Sequence, residues 1–103
     1  MDKSTTLQND LIKIKYIVLS KLQNTQVKVY LFGSRTQKTA GEKSDIDIAI
    51  LPLSPPLPFG LLSNIRDAIE NSNIPYTIDL VDLSKTDQFF RNKVLKEGVI
   101  WKD

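Results

Sequence analysis

Residues 31–51 read LFGSRTQKTAGEKSDIDIAIL. An apolar run ends at Gly33-Ser34, ten residues intervene, and Asp45 and Asp47 then open a second apolar run. Side chains at i and i+2 on a strand point to the same face. The two aspartates therefore stand together, their α-carbons ~6.7 Å apart at about 3.3 Å rise per residue. Ile46, Ile48 and Ile50 form the opposite row, which faces a core. Two parallel carboxylates repel each other unless a cation lies between them. Oxygen ligands alone suit Mg²⁺, and Mg²⁺ commonly arrives with phosphates.

Gly33-Ser34 supplies the matching half. Glycine lets the backbone turn sharply and approach a ligand. Serine is a favoured N-cap, so a short helix is expected from Gly33 to about Ala40, with its first N–H groups free. Such a helix start is a seat for phosphate. For both halves to share one site, the end of the first strand must lie beside the start of the second. The two strands are then antiparallel.

Working outward, Leu7, Leu11, Ile14 and Val18 recur at helical spacing, which predicts a helix over about Leu7 to Leu22. VKVYLF (27–32) is the first strand and Ser44 to Leu51 the second. The proline-rich PLSPPLP (52–58) reads either as a polyproline ligand or as a stiff loop that stops a strand. The loop is the commoner case. Leu61, Leu62, Ile65, Ala68 and Ile69 then make a helical stripe, stopped by Asn71-Ser72-Asn73 and Pro75. YTIDLVDL (76–83) is the third strand, with Asp79 on the face opposite Ile78 and Leu80. Ser84-x-x-Asp87 suggests a capping box for a last helix, about Lys85 to Glu97, with Gly98 as its C-cap. The tail Val99-Ile100-Trp101 either packs back on the domain or forms an edge strand. The order is αβαβαβα: an α/β (α+β) domain spanning 1–103, with a small mixed three-stranded sheet and helices on one face.

Composition narrows the chemistry. There is no histidine and no cysteine, so Ser-His-Asp and Cys-His catalysis, thiolate zinc and disulfides are all excluded. Carboxylates, hydroxyls, Lys/Arg and backbone amides remain. The absence of cysteine fits a cytoplasmic protein. No apolar run approaches the ~18–20 residues of a membrane span. A net charge of +2 gives no reason to expect direct nucleic-acid binding.

The pattern G-S, ten residues, D-x-D, followed by a later strand aspartate, resembles the signature of the DNA polymerase β-like nucleotidyltransferase superfamily. By its short length the chain resembles the minimal nucleotidyltransferases (MNT), encoded beside HEPN-domain partners. The resemblance implies that Asp45, Asp47 and Asp79 form the catalytic and metal-binding triad. It implies two Mg²⁺ ions, with Asp79 as the best placed general base. Gly33, Ser34 and Arg35 would bind the phosphates of ATP. In the family, G-S-R-x-R-G is frequent; here the run is GSRTQK, so Gln37 and Lys38 depart from it. Larger relatives add a helical domain that grips base and acceptor. A chain of 103 residues leaves no room for one, so a partner completes the site or is itself the acceptor. Family members are antitoxins that transfer AMP to a tyrosine of a HEPN toxin, and that reading is expected here. A homo-oligomer is compatible with it.

Competing readings stand beside these. The domain neutralises its partner by binding alone, or it modifies a small acceptor. An Asp-x-Asp at a strand edge is often only solvated. Asp82 suits a turn or a helix cap. Arg35 pairs with a surface carboxylate as readily as with phosphate. Tyr30, Phe32 and Trp101 suit packing better than base recognition.

Overall fold

The computed structural model describes residues 3–32, 46–74 and 76–103, with side chains from residue 9 onward. Helix α1 (Lys3–Lys21) leads into β1 (Val27–Phe32). Then come β2 (Ile46–Pro52), α2 (Leu61–Glu70) and β3 (Ile78–Asp82). A one-turn 3₁₀ helix (Leu83–Lys85), α3 (Gln88–Glu97) and β4 (Val99–Lys102) complete the order. The expected short helix after Gly33, and the loop before Asp45, lie outside the described residues.

Alternation builds the sheet. Its order is β3-β2-β1-β4. β1 pairs antiparallel with β2, as the shared-site argument requires. β2 pairs parallel with β3, and β4 pairs antiparallel with β1. One face carries Val27, Val29 and Leu31 of β1, Ile46, Ile48 and Ile50 of β2, and Leu80 of β3. Ile14 and Val18 from the first helical stripe, Leu22 just after α1, and Ile65 and Ile69 from α2 close over them. Ile14, Ile46, Ile48, Ile50 and Ile65 are fully buried. Each contributes about 1.5–3 kcal/mol of burial, so this layer holds the register of the strands.

Two expectations are corrected. The sheet has four strands, because Val99–Lys102 adds to the free edge of β1. The helices also do not share one face. Tyr30, Ala49, Leu83 and Val94 form a second apolar cluster, joined by Phe32, Leu51, Val81 and Phe90. Val94 and Phe90 belong to α3, so α3 covers part of the face opposite α1 and α2. Its apolar side chains at i and i+4 give it a reason to lie there.

Punctuation along the chain follows local chemistry. Pro52 closes β2, and the rest of the proline run is loop leading to Gly60, at φ 80, the N-cap of α2. Helix α2 stops at Asn71, and Asn73 takes φ 62, a left-handed conformation that asparagine tolerates. Among the described residues no helix is long and apolar enough to cross a membrane.

Candidate active site

Strand pairing places two of the predicted aspartates side by side. Asp47 lies opposite Asp79 in the parallel β2–β3 ladder. Neighbouring strands are ~4.8 Å apart, and both residues alternate away from the isoleucine core, so the carboxylates stand on one face. Phe32 is opposite Asp47 in the β1–β2 ladder. A single row thus crosses the sheet as Phe32, Asp47, Asp79. At the head of the ladder the Ile46 N–H donates to the Thr77 carbonyl at 2.8 Å. That bond fixes the parallel register next to the row. Asp47 is half-buried and Asp79 exposed.

Asp45, Gly33, Ser34 and Arg35 lie outside the described residues. Gly33 and Ser34 directly follow Phe32, and Asp45 directly precedes Ile46. The row is therefore bounded in sequence by both missing halves of the predicted site. Among the described residues no three ligand-capable side chains converge; the described part of the triad is the Asp47–Asp79 pair. Two hard oxygen donors held side by side suit Mg²⁺.

The aromatic end of the row is packed. Phe32 meets Phe90 of α3 edge to face, with ring centroids 5.6 Å apart and planes at 75°. Such pairs add about 0.5–1.5 kcal/mol beyond their burial. Tyr30 is buried in the second cluster, and Trp101 packs against the main core. All three aromatics are packing groups.

Asp82 is engaged elsewhere. It accepts the Ser84 N–H at 2.9 Å and the Ser84 hydroxyl at 2.6 Å, capping the 3₁₀ helix. The expected capping box does not form, and the helix is capped one turn later by a single bond. Ser84 sits inside the 3₁₀ turn, and Asp87 is the N-cap of α3, accepting the Phe90 N–H at 2.8 Å. Burial of Leu83 explains the delay, since the chain dips into the second cluster before α3 begins. Sequence reading missed Arg91. Its Nε donates to the Leu83 carbonyl at 3.0 Å and its Nη2 to the Thr86 carbonyl at 3.1 Å, tying α3 to the turn after β3. Its spacing from Leu83 and Thr86 carries no sequence signal.

Comparison with known proteins bears on this geometry. The family described as "Polymerase beta, Nucleotidyltransferase" matches residues 7–102. A probable protein adenylyltransferase MntA of Haemophilus influenzae is 35% identical over 72 residues, covering 70% of this chain and 62% of that protein. The chain thus spans less than two thirds of that relative. A crystal structure of a toxin–antitoxin with AMP-PNP superposes with TM-score 0.64 at 26% identity, over 84% of this chain and 71% of that one. The toxin–antitoxin MntA–HepT shares the fold, with TM-score 0.56 at 23% identity over 85% of this chain and 68% of that one. With nearly its whole length matched, the chain belongs to the polymerase beta nucleotidyltransferase family.

Proposed function

We propose that this protein is an antitoxin enzyme that transfers AMP from ATP to a hydroxyl of a HEPN-type toxin, a tyrosine, and thereby silences it in the cytoplasm. The observation that carries the reading is the register of Asp47 against Asp79 on one sheet face. The similarity to an adenylyltransferase supports the reaction, and the similarity to toxin–antitoxin structures supports the partner.

Asp45, Asp47 and Asp79 are the residues that would hold Mg²⁺, two ions in this proposal. Bound there, Mg²⁺ supplies charge neutralisation for the triphosphate and acidifies the acceptor hydroxyl. Gly33 and Ser34 offer backbone N–H and hydroxyl donors to the terminal phosphates, and Arg35 adds a cation beside them. The acceptor oxygen attacks the α-phosphorus in line. A new O–P bond forms as the bond to the bridging α–β oxygen breaks, and pyrophosphate leaves. The proton passes from the hydroxyl to Asp79, whose exposed carboxylate is open to an incoming acceptor. Positioning and charge carry most of the acceleration.

The test is the intact mass of the proposed HEPN-type toxin after incubation with this protein, ATP and Mg²⁺. Wild type and Asp47→Asn are compared. A gain of whole AMP units with wild type alone supports the proposal. A stable complex with both versions and no mass gain sinks it, and leaves neutralisation by binding.

A further inference from the structure

Among the described residues the sheet ends at β3, and Asp79 stands on that last strand. One bond fixes the direction of its backbone groups. The Ile46 N–H reaches the Thr77 carbonyl, and Ile46 is paired with Ile78. In a parallel ladder such a residue bonds to both neighbours of its partner. Thr77 and Asp79 therefore turn their backbone toward β2, and Val81 follows by alternation. Ile78 and Leu80 turn their N–H and C=O groups the other way. These groups line the outer edge of the described sheet, on either side of Asp79.

The edge is anchored and regular. Leu80 is buried and Ile78 packs against the main core, so β3 is held from one face. It pairs with β2 from Ile78 to Asp82 without a register shift. Sheet edges are commonly blunted by lysine, proline or a bulge. β3 has none of these, whereas the opposite edge strand, β4, carries Lys102 and pairs with a register shift. Asp82 at the end of β3 is turned to Ser84, and Asp79 is the exposed charge of this edge.

Chemistry names the occupant. The row Phe32, Asp47, Asp79 is flanked by β1 on one side, and its next position lies beyond β3. A strand added there continues the row, and its residue opposite Asp79 puts its side chain on the face of the aspartates. In antiparallel addition that residue and Asp79 form a non-hydrogen-bonded pair, the closer kind, with α-carbons about 4.5 Å apart. Its hydroxyl then comes up on the side of the carboxylate that takes its proton. We infer that the acceptor segment of the toxin docks as an extended, antiparallel strand on the outer edge of β3, with the modified residue opposite Asp79; this rests on the adenylylation reading above. The residue before it bonds to Leu80 and the residue after it to Ile78, a mode of recognition carried by main-chain groups.

The experiment is residue-resolved amide hydrogen exchange of the full chain, alone and with the proposed HEPN-type toxin, without ATP. Alone, the N–H groups of Asp79 and Val81 exchange slowly and those of Ile78 and Leu80 fast; the toxin slows the latter two at least about tenfold. Alongside, short peptides spanning the residue that gains AMP are compared as substrates by mass. N-methylation of both neighbours of that residue lowers kcat/KM at least about tenfold, whereas N-methylation of the residue itself, whose N–H points away from β3, leaves it unchanged. Unchanged exchange at Ile78 and Leu80 in a toxin complex, equal rates from all peptides, or the reverse pattern of loss overturns the inference and leaves the antitoxin reading intact. Modification of the toxin but not of the unmethylated peptide does the same. Protection of Ile78 and Leu80 that grows with the concentration of the protein alone assigns the edge to a second copy and also overturns it. A toxin that gains no AMP overturns both readings.

Discussion

Replacing Gly98 by alanine isolates one physical effect. Gly98 is the C-cap of α3 at φ −75 and ψ 160, a conformation open to any residue. Its glycine is required by space. An added Cβ meets the Val94 carbonyl oxygen at 2.7 Å, and the Leu31 carbonyl oxygen and Tyr30 Cβ at 3.3 Å. The first contact is the very oxygen that accepts the Gly98 N–H at 2.8 Å. Two of these three atoms are backbone, one in a helix end and one in a central strand, so neither can swing aside. Overpacking of this kind costs about 1–3 kcal/mol. Alanine also restricts the unfolded chain, which offsets about 0.4–1 kcal/mol. A net loss of ~1–2 kcal/mol is expected, a fall in Tm of roughly 5–15 °C for a domain of this size. Urea denaturation followed by circular dichroism measures it. A Gly98→Ala protein as stable as wild type, or more so, would refute the reasoning, because only the contact argument predicts a loss.

Gly60 offers the opposite case: nothing lies within 4 Å of an added Cβ, but φ is +80. Gly60→Ala should lose about 1 kcal/mol through backbone conformation alone, and Gly60→Asn less; equal urea midpoints for all three would contradict this. Ile48→Ala opens a cavity at a fully buried central position and should cost about 2–5 kcal/mol, whereas exposed Tyr16→Ala should stay within about 0.5 kcal/mol; matching midpoints for the two would contradict the burial assignment. Asp47→Asn and Asp79→Asn should each lower nucleotidyl transfer by about 10²-fold or more with unchanged far-ultraviolet circular dichroism, and full turnover by either variant would remove that carboxylate from the proposed site.

Much of this was legible because alternation is a strict code. Ile46, Ile48 and Ile50 announced a buried face, so Asp47 had to face the other way, and Asp79 was assigned by the same parity. The antiparallel β1–β2 pair followed from requiring Gly33-Ser34 and Asp47 to meet. What alternation does not encode is which strand lies beside which. The addition of β4 to β1 depends on a partner some 70 residues away in sequence, and the sequence left Val99–Trp101 open between packing and edge strand. The side taken by α3 was equally hidden. Val94 and Phe90 say that the helix has an apolar face, but only Tyr30 and Phe32 on the far side of β1 give that face somewhere to go. Ser84 and Asp87 are both good caps, and the burial of Leu83 chose between them.

The strand order has a consequence for the protein as it is made. Among the described strands β1 comes first in the chain, yet one of its two neighbours, β4, comes after the others. While the chain is still growing, Val29, Tyr30 and Leu31 have no partner on that side. An apolar strand with one open edge is the kind of surface that recruits other chains. A ribosome stalled before residue 99 therefore holds a nascent chain that carries both aspartates but an unsealed sheet. Synthesis of β4 is therefore the step that covers this edge of β1.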